Sequence, residues 1–313
     1  MARDLFTRNE SGSADDWSAP SFRSLPPAIR FGTCSWKYDD WRGILYPLRG
    51  KINHLEQYAA RLPTVEVDQW FWSLFAPGQV VLPAPSVVAD YAASVPPDFR
   101  FTVKAPNSVS LTHHYSLRAH DQLLPNPDFL SSELFSRFLA LLQPLGTKLG
   151  LVMLQFEYLN RRKMSGLTEL LDRLGRFLDA TGPGVPIGIE LRNPSFLTPE
   201  YFDFLRSRGL SHVFCDGYYM PSAAAIYRRQ ADRLAGPVVL RLMGPDRKAI
   251  EEKGNARWDR LLDPRDAQLD EVADMLTDLV KRAVPVYVNV NNHYEGCAPL
   301  TIRRLASRLA RKE

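Results

Sequence analysis

The chain has 313 residues, 45% of them hydrophobic, 11% aromatic and 24% charged, with 39 Lys and Arg against 35 Asp and Glu. That apolar content supports a sizeable core and excludes a disordered chain or a coiled coil; the length suits one barrel-sized domain or two smaller ones. A net charge of +4, scattered along the sequence apart from the last helix, gives little support to a nucleic-acid surface.

Cys34, Cys215 and Cys297 are too few and too scattered for a disulfide scaffold or a paired-cysteine metal site, so free thiols in a reducing compartment are expected. The first residues lack an apolar signal and no apolar run reaches membrane-spanning length. A cytoplasmic protein without a membrane partner is the expectation.

Residues 1–27 hold Ser, Asp, Gly and Pro with little periodicity and are expected to form a poorly ordered arm. From residue 28 the pattern changes to an apolar strand followed by a helical period, repeated along the chain. Arg30 to Trp36 reads as strand one with a helix from Ile52 to Leu62, Thr64 to Asp68 as strand two with a helix from Ser86 to Val95, and Phe99 to Lys104 as strand three. The segment 105–131, carrying His113, His114 and His120, is long for a compact domain and suggests a lid or binding loop before the helix Ser132 to Leu142.

Leu149 to Gln155 is strand four, with the helix Leu167 to Leu178. Pro186 to Glu190 is strand five, an apolar run that ends abruptly in Glu190, Arg192 and Asn193, with the helix Pro199 to Arg208. His212 to Asp216, Pro237 to Met243 and Pro285 to Val290 complete the set, followed by helices over 222–234, 266–282 and 299–311. Eight such units match the size and period of a single (β/α)8 TIM barrel, an α/β fold. A doubly wound sheet is the alternative, but no Gly-x-Gly-x-x-Gly follows the first strand, which removes the usual dinucleotide reading.

Ligands meet the carboxyl ends of strands in parallel α/β folds, and here those ends are polar. One rim is expected to collect Trp36, Glu66, Asp68, Lys104, Gln155, Glu157, Glu190, Arg192, Asp216 and Arg241, with Asn289, Asn291, Asn292 and His293 from strand eight. Charged groups inside a barrel need partners, water or ligand to offset desolvation. An internal ion-pair network that merely closes the core is the competing explanation.

Gly32-Thr33-Cys34-Ser35-Trp36, Asp40-Trp41-Arg42-Gly43, Tyr46-Pro47, Val65-Glu66-Val67-Asp68, Phe99 to Lys104, Ile189-Glu190-Leu191-Arg192, Arg241-Leu242-Met243-Gly244 and Asn291-Asn292 together resemble the YecE-like family, a domain of unknown function with a barrel fold. The resemblance spans about residues 29–310 and implies the barrel and a polar pocket at the strand ends. The chain departs from the common pattern at Cys34-Ser35, Asp68 to Trp72, Phe156-Glu157 and Met243, all at the rim.

The residue types point to acid–base chemistry on a small anionic, hydroxyl-bearing substrate, sugar- or phosphate-containing. Glu66 and Glu190 are the candidate acid and base, while Lys104, Arg192 and Arg241 bind the anion or developing charge. Lys104 is also conceivable as an imine-forming amine. Asn289, Asn291 and Asn292 orient hydroxyls, and Trp36 with the aromatics after strand two either stacks a ring or seals the barrel top.

A barrel glycosidase fits less well, because strand seven ends in Arg241 with no carboxylate until Asp246. A metal-dependent hydrolase or isomerase, with Glu66, Glu190, Asp216 and His293 as ligands, is an alternative; no metal or other cofactor is assigned. The remaining alternative is a non-catalytic binder of single-stranded nucleic acid or a metabolite.

Overall fold

The computed structural model describes residues 25–76, 79–115, 123–182 and 184–311. Most of the expected arm, residues 1–24, therefore lies outside the described residues, as do His120 and the rest of 116–122 in the long loop. Eight strands form one sheet: β1 (Ile29–Thr33), β2 (Thr64–Val67), β3 (Arg100–Lys104), β4 (Leu149–Gln155), β5 (Ile187–Glu190), β6 (Ser211–Gly217), β7 (Val238–Gly244) and β8 (Val286–Val290). Their order is β1-β8-β7-β6-β5-β4-β3-β2, every neighbouring pair parallel. Pairing of the first strand with the last curls the sheet into a TIM-type barrel and sets aside the doubly wound alternative.

The helices α1 (His54–Ala59), α2 (Pro85–Ala93), α3 (Ser132–Leu141), α4 (Leu167–Thr181), α5 (Pro199–Ser207), α6 (Ala223–Gln230), α7 (Asp266–Lys281) and α8 (Ala298–Leu309) follow the strands in turn. Apolar stripes explain their docking: α4 buries Leu170, Leu171, Leu174 and Phe177, and α7 buries Leu269, Val272, Met275, Leu276 and Leu279. The sequence reading missed a small antiparallel ribbon, Leu74–Ala76 with Gln79–Val80, and a helix over Arg247–Gly254. Both are short and mostly polar or exposed, so neither carries a strong hydrophobic period.

Side-chain alternation divides the strands into two faces. Outward residues such as Val152, Leu154, Leu240 and Val288 join the main core beneath the helices, whereas Leu151, Met153, Val213, Val239 and Tyr287 form a separate apolar plug inside the barrel. Polar residues occupy the next interior level, toward the carboxyl ends.

No ladder pairing joins β1 to β2 among the described residues, yet the strands touch: a Cβ on Gly32 would lie 2.1 Å from the Thr64 carbonyl oxygen. Tyr58 of α1 bridges this seam. Its buried hydroxyl accepts from the Thr33 N–H (2.8 Å) and donates to the Thr64 carbonyl (2.9 Å), replacing the missing ladder bonds.

Tyr58→Phe would leave both backbone groups buried without their partner, a cost of about 2–4 kcal/mol. We expect thermal denaturation to show a melting temperature lower by roughly 5–10 °C. An unchanged melting temperature would show that the seam does not depend on this hydroxyl.

Candidate functional site

At the polar level Arg241 of β7 is the hub. It is 3% exposed, and its Nε and Nη2 donate to both oxygens of the fully buried Glu66 at 2.7 Å each. Its Nη1 donates to Glu190 Oε2 at 2.6 Å and to Gln155 Oε1 at 3.1 Å. Arg192 Nε donates to the other Glu190 oxygen. Asn289 of β8 donates to Thr102 Oγ1 (2.9 Å) and weakly to Glu66 Oε2 (3.4 Å), while its own Oδ1 has no hydrogen-bond partner among the described residues.

Lys104, at the end of β3, is treated differently. It is 8% exposed and sits 3.7 Å over the Phe71 ring, with no ion pair or hydrogen bond to its ammonium among the described residues. Burial, and then the charge of Arg241, bring its pKa down to about 8 against the opposing pull of Glu66, Glu190 and Asp68. Asp68, partly buried just beyond β2, is pushed up to about 6, first by burial and then by Glu66. Glu190 moves the other way: burial would raise it, but Arg192, Arg241 and Lys104 together hold it at about 2.

Beside this charged cluster the lining is weakly polar. Cys34, Cys215 and Met243 pack together, with Cys34 Sγ 3.9 Å from Met243 Sδ, and Tyr218 leans on the cluster. All three cysteines are buried free thiols, as the composition suggested. Burial raises the thiol pKa of Cys34 and Cys215, so neither is a ready thiolate. Tyr218 also faces Arg192, whose guanidinium lies 4.8 Å from the ring centre. Its placement depends on Gly217: a Cβ there would lie 2.3 Å from the Gly244 carbonyl, and only the glycine lets β6 and β7 approach while Tyr218 adopts φ +54°.

The barrel thus brings together Glu66, Lys104, Gln155, Glu190, Arg192, Arg241 and Asn289, with Asp68 adjacent. Other expected rim residues are used elsewhere. Asp216 alternates outward from Cys215 and accepts from the Ala223 N–H (2.9 Å), capping α6. Asn291 and Asn292 accept from the His293 and Ala298 N–H groups at 2.9 Å each, shaping the turn into α8. His293 packs on Trp258 and meets Glu251 of the 247–254 helix at 3.0 Å.

Trp36 is 1% exposed, edge-on to Tyr91, and seals rather than lines the mouth. Glu157 accepts from Thr112 and pairs with Lys163, tying the long loop to the β4 loop. With Asp216 and His293 turned away, the proposed metal donors do not converge, and no group of three or more His, Cys, Asp or Glu among the described residues is placed to hold a metal ion. Thr102 and Tyr218 were missed as site residues, whereas Phe71 is one of the aromatics after strand two expected at the rim. Only Thr102 left a readable signal, a hydroxyl in an otherwise apolar strand two residues before Lys104.

Fold and site together define a (β/α)8 barrel protein with a buried charged centre at the carboxyl ends of its strands. Residues 30–313 match the family described as "Protein of unknown function DUF72", and the chain belongs to that family. It is 28% identical over 182 residues to the UPF0759 protein YecE of Escherichia coli K12, an alignment covering 58% of this chain and 55% of that protein. The chain thus spans about half the length of the curated relatives it matches. Crystal structures of DUF72 family proteins from Thermotoga maritima (22% identity, 90% of this chain and 99% of that one) and Enterococcus faecalis (21%, 90% and 95%) both superpose with a TM-score of 0.62 and share the fold. No helix among the described residues is long and apolar enough to cross a membrane.

The low Glu190 pKa has a consequence for stability. A carboxyl at about 2 when folded, against an ordinary value of 4.5, contributes stability above about pH 5 that is lost as pH falls toward 2. Glu190→Gln leaves Arg241 and Arg192 short of a counter-charge and should destabilise by about 3–5 kcal/mol near neutrality. Urea denaturation of both proteins should show that gap closing between roughly pH 5 and pH 2.5. A gap that stays constant with pH would remove the charge explanation.

Proposed function

We propose that this protein is an enzyme acting by acid–base chemistry on a small anionic, hydroxyl-bearing substrate at the carboxyl ends of the barrel strands. The observation that carries the reading is Lys104, a nearly buried cation over the Phe71 ring without an anionic contact, with the Asp68 carboxyl nearby shifted upward toward it. A buried charge lacking a hydrogen-bonded counter-ion is costly, and a substrate anion would supply one.

In this reading the proton-transfer roles move outward from the residues chosen on sequence. Glu190 is too weakly basic at about 2 to accept a proton readily, and Glu66 has both oxygens committed to Arg241. They orient Arg241 and Arg192, which with Lys104 bind the anion. Asp68, ionising near 6, is the better general base, with Lys104, near 8, as its electrostatic partner or as the acid. Gln155, partly exposed at the end of β4, is the group suited to a hydroxyl, while the unpartnered Asn289 acceptor lies buried beneath it.

The test is a thermal-shift and calorimetric screen of phosphate, sulfate, glucuronate and sugar phosphates. Lys104→Met and Arg192→Met should each abolish the stabilisation given by the best anion, whereas Asp68→Asn should bind it but fail to turn over the corresponding substrate. Activity should rise as Asp68 ionises near pH 6 and fall as Lys104 loses its proton near pH 8. If no anion stabilises the protein, or Lys104→Met binds as well as the native chain, the reading fails. Full turnover by Asp68→Asn would remove its role as base.

A further inference from the structure

Resting on that reading, we infer that the small anionic unit held at the barrel centre is one ring of an acidic oligosaccharide, whose neutral rings stack on aromatic side chains at either side of the mouth. The eight large hydrophobic side chains exposed among the described residues all lie in segments that join a barrel strand to the helix after it, Phe75 on the small ribbon, and none lies on a helix. Exposed apolar surface gathered at one face marks an interaction site.

Two aromatic tracks lead outward from the charged centre. On one side Lys104 sits on Phe71, Phe71 meets Trp72 edge-on with ring centres 5.2 Å apart, and Trp72 reaches Tyr115 at 6.0 Å. On the other side Arg192 sits on Tyr218, whose neighbour Tyr219 meets Tyr158 edge-on at 6.1 Å. Trp72, Tyr115, Tyr158 and Tyr219 are between 52% and 60% exposed, on loops after β2, β3, β4 and β6. Each track therefore begins at a cation and ends in an exposed pair of rings.

This arrangement fits a chain of rings charged at one point. A sugar offers a face of C–H groups to a single aromatic ring, and neither exposed pair presents the two parallel faces that would clamp a flat base: the ring planes meet at 42° and 89°. A polynucleotide carries a charge at every step and is held by a continuous basic groove. Here Lys104, Arg192 and Arg241 meet at the centre, the chain's net charge is only +4, and Lys163, on the loop that carries Tyr158, is already paired with Glu157. The acidic group can be a carboxylate or a phosphate, since both suit a guanidinium and an ammonium.

Two probe series separate those sources. One is glucuronate with oligosaccharides that carry a single glucuronate on one to three neutral xylose units; the other is glucose 1-phosphate with maltose 1-phosphate. Calorimetry and tryptophan fluorescence should show affinity rising at least about ten-fold from the monosaccharide to a longer member of one series. Trp72→Ala and Tyr219→Ala should each remove most of that gain while leaving monosaccharide affinity within about two-fold.

Monosaccharide binding that is lost in Lys104→Met but shows no gain with length in either series would overturn the oligosaccharide and leave the proposed function standing. A length gain unchanged in Trp72→Ala and Tyr219→Ala would equally overturn it. Absence of binding by any anion would overturn both readings. Oligo-dT binding more tightly than any glycan, and weakened by Trp72→Ala, would assign the aromatic tracks to single-stranded nucleic acid instead.

Discussion

The guanidinium of Arg241 is the constraint on which the barrel interior depends. A charge only 3% exposed cannot be left alone in a low-dielectric core, and a single carboxylate would leave part of its donor fork unpaired. Glu66 and Glu190 answer it from opposite directions, the first with both oxygens and the second with one. Because the first comes from β2, on one side of the seam, and the second from β5, the cluster ties distant strands across the lumen. The hydroxyl of Tyr58 then joins β1 to β2 from outside.

Satisfying Arg241 determines which groups stay available. Both oxygens of Glu66 are taken up by Arg241, and Glu190 is so strongly held as a carboxylate that it is spent as a base. Titration near neutrality falls to the groups that the arginines do not fully serve, Asp68 and Lys104, and their shifts run toward each other. Paired groups with displaced pKa values suit proton transfer, whereas an ion-pair network evolved only to close the core would leave neither partner open. The internal-network explanation accounts for Glu66, Glu190 and Arg241; it does not account for an ammonium whose neighbour is the face of Phe71.

Much of this was legible before the structure, for physical reasons that differ by residue. Strands buried on both faces read as unbroken apolar runs, so β4 appears in the sequence with its observed ends. The charged terminus of β5 marked Glu190 and Arg192 as site candidates because an apolar strand ends there, yet Glu190 itself is buried, its charge offset by Arg241 and Arg192. What the pattern could not supply was the direction of a side chain beyond the strand end. Asp216 follows an inward Cys215 and therefore points outward to α6, and Asn291, Asn292 and His293 lie after β8, where the turn geometry rather than the pleat aims them. Phe71 and Tyr218 are loop residues whose roles arise from contacts made only when the barrel closes.

The surroundings of the cluster make its charges effective. Below it lies the plug of Leu151, Met153, Val213, Val239 and Tyr287; beside it sit Cys34, Cys215 and Met243, side chains that exclude water without offering strong hydrogen bonds. Coulomb interactions strengthen in such a medium, which is how its cationic neighbours hold Glu190 far below the usual carboxyl range despite complete burial; Lys104 is lowered first by the loss of solvation itself. Replacing this lining with polar groups would weaken both effects by different routes, screening the cations around Glu190 and solvating the ammonium of Lys104. The chemistry available at the mouth is therefore set as much by the sulfur and aliphatic side chains that carry no charge as by the arginines, glutamates and lysine that do.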